Sequence, residues 1–74
     1  MKEQVISILE EVKPMKNLQD VTNIVEGGYI DSFEFMALVS KLCDTFGIEI
    51  GVDDMTLENF NSVDAIVAMV ERLK

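Results

Sequence analysis

Asp31 and Ser32 are the residues whose types and position offer chemistry. They lie in the run Gly27-Gly28-Tyr29-Ile30-Asp31-Ser32-Phe33-Glu34-Phe35-Met36, and an apolar pattern of helical spacing begins directly after them. Ser and Asp start helices because their side-chain oxygens accept hydrogen bonds from first-turn N–H groups that lack an intrahelical partner. The same helix mouth concentrates partial positive charge and free N–H donors, which suits a phosphate. A serine hydroxyl held there can carry a phosphate ester without the chain having to neutralise the whole charge. The competing reading is that Ser32 merely caps the helix, a common use of serine.

Composition leaves little other chemistry. The chain has 74 residues with no His, one Cys and one Tyr. His/Cys zinc sites and a Ser-His-Asp triad are therefore excluded within it. A chain this short hides only about 60% of the surface its unfolded form exposes. That allows one thin core and no deep catalytic cleft, so neither an enzyme nor a resident metal is expected. A calcium loop fails on spacing, because Asp53 and Asp54 are adjacent and no loop alternates acids as such a site needs. Cys43 has no partner for an internal disulfide and fits a reducing compartment. Among apolar residues it reads as a partly buried, inert thiol. No signal-peptide run follows Met1, and no stretch of about 18 apolar residues is present. A cytoplasmic chain without membrane insertion is the expectation.

The charge is uneven. Fourteen acids against six bases give a net charge of −8. Residues 1–16 balance three lysines with three glutamates, whereas residues 17–64 hold ten acids and only Lys41. The excess thus lies around Ser32 in sequence. Such a field repels nucleic acid and anionic membranes and favours salt-sensitive docking onto basic protein surfaces. Plain solubility explains it equally well.

The elements that must position Ser32 follow from apolar spacing. Val5, Ile8, Leu9 and Val12 form one stripe of a first helix over Lys2–Lys13, stopped by Pro14. Residues 14–30 form a long connection, with a short helical turn expected near Asp20–Ile24; a loop of this length in a small domain is often functional. A second helix runs over Ser32–Phe46, with Phe35, Leu38, Val39, Leu42 and Phe46 inward and Gly47 ending it. Ile48-Glu49-Ile50 has no partner strand and reads as a loop that turns Ile48 or Ile50 inward. Thr56 starts a short third helix over 56–60, and Ser62 caps a last one reaching about Leu73. The fold class is all-α: one domain over residues 1–74, a small bundle of three long helices and one short one.

With these elements in place, the whole chain resembles the acyl carrier protein family, including its peptidyl and D-alanyl carriers. The sharpest part is Gly28-Tyr29-Ile30-Asp31-Ser32-Phe33, similar to the family's Gly, two residues, then Asp-Ser and an apolar residue. Phe46-Gly47-Ile48-Glu49-Ile50 resembles the turn after the family's second helix, and Ser62-Val63-Asp64-Ala65-Ile66 the start of its last. The resemblance implies a freestanding carrier, not an enzyme. Ser32 would receive phosphopantetheine from coenzyme A through a phosphopantetheinyl transferase that uses magnesium, with Asp31 supporting the attachment site; that Asp31 caps the helix is compatible with this. The arm would hold acyl or aminoacyl thioesters supplied by loading ligases or synthases with basic docking surfaces. The carrier is expected to act as a monomer. Phe33 matches the family's apolar residue after the serine and is a candidate partner anchor; packing against the loop is the alternative. Glu34, Asp44 and Glu49 are candidates for charge contacts with partners, or simply solvated acids.

The core stripes and the outer face of helix two each admit two uses. Ile8, Leu9, Leu38, Val39, Leu42, Ile66 and Val70 fill the core or border a cavity sheltering an acyl chain. The outer face of helix two carries Ala37, Ser40, Lys41 and Cys43, where carriers of fatty-acid synthesis tend to be dense in acids. Tyr29-Ile30 and Phe33 resemble polyketide, dedicated or aminoacyl carriers as much as the fatty-acid type. The rival to the carrier reading is an unmodified acidic helical interaction module in which Ser32 only caps.

Overall fold

Helical spacing of apolar residues decides the architecture. The computed structural model describes residues 1–74. It holds helices α1 (Lys2–Val12), α2 (Ser32–Phe46), α3 (Leu57–Phe60) and α4 (Val63–Leu73), with 3-10 turns at Leu18–Asp20 and Val52–Asp54 and no strand. This is the all-α bundle expected. α1 stops one residue early: Lys13 has extended backbone at φ −140°, as the residue before a proline is pushed out of the helical region. α2 spans the expected residues, and Ser62 Oγ caps α4 by accepting from the Ala65 N–H at 3.1 Å. Thr56 Oγ1 accepts likewise from the Asn59 N–H, which starts α3. No helix is long and apolar enough to cross a membrane.

All sixteen buried residues are hydrophobic. α1 gives Val5, Ile8 and Leu9, α2 gives Leu38, Val39 and Leu42, and α4 gives Val63, Ile66, Met69 and Val70. The connections complete the core with Leu18, Ile24, Ile30, Ile48 and Ile50, and α3 adds Phe60. Both Ile48 and Ile50 turn inward, where one was expected. At about 25 cal/mol per Å² of apolar area hidden, such side chains are the main stabilising term.

The connection between α1 and α2 is not where spacing put its turn. The 3-10 turn lies at Leu18–Asp20, ahead of the expected Asp20–Ile24, and reverse turns follow over Asn23–Tyr29. The reason is remote in sequence. Asn61, at the end of α3, accepts from the Val25 and Glu26 N–H groups through Oδ1 at 3.1 and 3.0 Å. Its carbonyl accepts from the Ile24 N–H at 2.8 Å. Three backbone donors of the connection therefore rest on one residue. Replacing Asn61 by Ala removes the acceptor of two of them and leaves the partly buried Val25 N–H unsatisfied, so the unfolding free energy should fall by about 1–2 kcal/mol in urea titrations. Asn61→Asp, which keeps the acceptor, should lose less.

Candidate functional site

The connection enters α2 through two glycines. Gly28 has φ +76°, and a Cβ on Gly27 would stand 2.7 Å from the Asn23 carbonyl oxygen. Only glycine fits both demands without strain. Ile30 is then buried, and Asp31 is extended at φ −93°, ψ −177°. Asp31 is the N-cap: its Oδ1 accepts from the Glu34 N–H at 2.7 Å, and Glu34 Oε1 accepts from the Asp31 N–H at 3.0 Å. This reciprocal pair gives the cap to Asp31 and tells against the competing reading in which Ser32 caps. A capping box needs an acid or amide three residues after the cap, which Asp31 has in Glu34; three residues after Ser32 stands Phe35. A carboxylate also suits the positive end of the helix dipole better than a hydroxyl. The Asp-x-x-Glu spacing was the signal in the sequence.

Ser32 is thus the first helical residue, exposed, and its hydroxyl enters none of the side-chain hydrogen bonds of the chain. The Ser32 and Phe33 N–H groups have no backbone acceptor, as befits first-turn donors. Beside them opens a cleft of ≈ 650 Å³. Ser32, Asp31, Phe35 and Met36 line it from α2, Val25 and Ile30 from the connection, and Met55, Thr56 and Leu57 from the approach to α3. Phe35 meets Phe60 edge-on, ring centroids 4.8 Å apart, tying the first turn of α2 to α3. None of the stripe residues Ile8, Leu9, Leu38, Val39, Leu42, Ile66 and Val70 lines this cleft; all seven are core. They are consumed in helix-on-helix packing, while the cleft lies where α2 faces a loop and a one-turn helix.

Residues 3–70 match the family described as a phosphopantetheine attachment site. The chain belongs to that family. It is a phosphopantetheine-bearing carrier of the acyl carrier protein kind, and the prosthetic group is covalently bound. Domains of this family are non-catalytic and meet phosphopantetheinyl transferases and synthases. The mouth of α2 fits such a group. It offers an exposed hydroxyl, two N–H donors for phosphate oxygens and an adjoining apolar cleft.

The remaining candidate residues of the carrier fall in different settings. Phe33 is 83% exposed, so packing against the loop is not its role. Asp44 and Glu49 are exposed and form no ion pair. Glu34 is only half-exposed, bound through Oε1 to the Asp31 N–H, with Oε2 3.6 Å from Lys13 Nζ. Because Asp31 rather than Ser32 caps α2, Asp31→Ala should lower stability by about 1 kcal/mol in chemical denaturation, whereas Ser32→Ala should stay within about 0.5 kcal/mol of wild type.

Proposed function

We propose that phosphopantetheine is esterified to Ser32 and that the carrier moves acyl or aminoacyl groups between partner enzymes. The supporting observation is the division of labour at the mouth of α2: Asp31 caps, so the Ser32 hydroxyl stays exposed and uncommitted. When bound, the group supplies a flexible arm ending in a thiol, which holds cargo as a thioester that remains reactive to acyl transfer. Ser32 Oγ supplies the ester oxygen and gives its proton to the transferase, while adenosine bisphosphate leaves coenzyme A. The transferase brings base and magnesium, so Ser32 needs only exposure and a fixed position. Asp31 Oδ1 is held by the cap, which leaves Oδ2 to help hold magnesium during transfer. The Ser32 and Phe33 N–H groups and the α2 dipole favour the resulting phosphodiester by about 0.3–1 kcal/mol.

In this reading Phe33 is the apolar anchor for partners, and Asp44 and Glu49 are the acids that meet their basic surfaces. Both carboxylate oxygens of Glu34 are engaged within the chain, so it takes a different part. The carrier acts as a cytoplasmic monomer, and partner exchange does not require it to bind nucleic acid or enter a membrane.

Incubation with coenzyme A, magnesium and a broad-specificity phosphopantetheinyl transferase should add one phosphopantetheine to wild type by intact mass. Ser32→Ala, shown folded by circular dichroism, should gain none. An unloaded wild type, or a Ser32→Ala variant loaded equally well, overturns the reading.

A further inference from the structure

Three ion pairs tie the helices, and one differs from the others. Lys2–Asp64 (3.3 Å) has side chains 60% and 83% exposed, and Lys41–Glu11 (3.1 Å) 45% and 64%. Pairs so open to solvent add little. Lys13–Glu34 (3.6 Å) is the most sheltered, at 38% and 23%, and it alone joins the candidate attachment turn. Glu34 bridges two groups: Oε1 accepts from the Asp31 N–H, and Oε2 faces Lys13 Nζ. Asp31 in turn caps the Glu34 N–H and precedes Ser32 directly. Lys13 is fixed by its own N–H, which donates to the Leu9 carbonyl at 2.8 Å, and by Pro14 behind it. An unbroken series of contacts thus runs from the end of α1 to Ser32.

We infer that Lys13 and Glu34 form a positioning pair that sets the Asp31–Ser32 turn for arm attachment. The inference rests on Ser32 being the attached residue. Lys13 acts in two ways. It holds the Glu34 side chain over the Asp31 N–H, which as a half-exposed glutamate it would otherwise leave for water. It also neutralises a carboxylate only two residues from Ser32, which eases the reaction step in which the anionic pyrophosphate of coenzyme A is brought against the hydroxyl. Neither residue touches the reacting oxygen.

The test compares wild type, Lys13→Gln, Lys13→Arg, Glu34→Gln and the Lys13→Gln/Glu34→Gln double variant as transferase substrates, with kcat and KM separated. Lys13→Gln should lower kcat about fivefold with KM little changed, and Lys13→Arg should restore it. Added to Glu34→Gln, the same change should cost less than about twofold, because the pair is already broken. An equal loss in that background, a rise confined to KM, or no loss at all overturns the inference. A second measurement needs no loading. In the unmodified protein Lys13→Gln should speed amide hydrogen exchange at Asp31 while leaving Ala65, in the α4 cap, unchanged. An unaltered Asp31 amide, or equal acceleration at Ala65, overturns the inference whether or not Ser32 accepts the arm. Failure of wild type to load at Ser32 instead overturns the attachment reading.

Discussion

One backbone reversal governs what Ser32 can do. Asp31 is extended and the next residue is helical, so the cap falls on Asp31 and the serine becomes the first residue inside α2. Had the helix started one residue later, the Ser32 oxygen would be spent on a first-turn N–H. As built, a carboxylate meets the positive end of the dipole and the hydroxyl beside it faces water. Much of the remaining structure keeps that reversal in place: Gly27 and Gly28 before it, buried Ile30 beneath it, and the core stripe of α2 behind it.

A thin core accounts for the rest of the division. Three helices use most of their apolar stripes on one another, and of those residues only Phe35 reaches the cleft. The cleft forms instead where packing is sparse, between the first turn of α2, the long connection and the residues leading into α3. Such an arrangement suits a protein that presents a group to other enzymes. The chain belongs to a family of non-catalytic carriers.

Much of this was legible in the residues. α2 emerged with both its ends because Gly-Gly, Asp-Ser, an unbroken stripe and Gly47 all act within a turn or two of one another. α4 and its Ser62 cap were legible for the same reason. The path of residues 13–31 was not. It depends on Asn61, more than thirty residues away, whose amide satisfies backbone donors that carry no periodic signal. The cleft walls were missed likewise, since Val25, Met55 and Leu57 are brought together by chain reversals and not by one helix face. Glu34 read as a surface acid because a single glutamate shows nothing of its partners; its spacing from Asp31 was the available clue.

The account stands on a particular oxygen. The most direct measurement is fragmentation mass spectrometry of the transferase-loaded carrier, which locates the phosphopantetheine on the chain. The account predicts it on Ser32 alone, with Ser7, Ser40 and Ser62 unmodified. Attachment to any of those three, or to no serine, would contradict it.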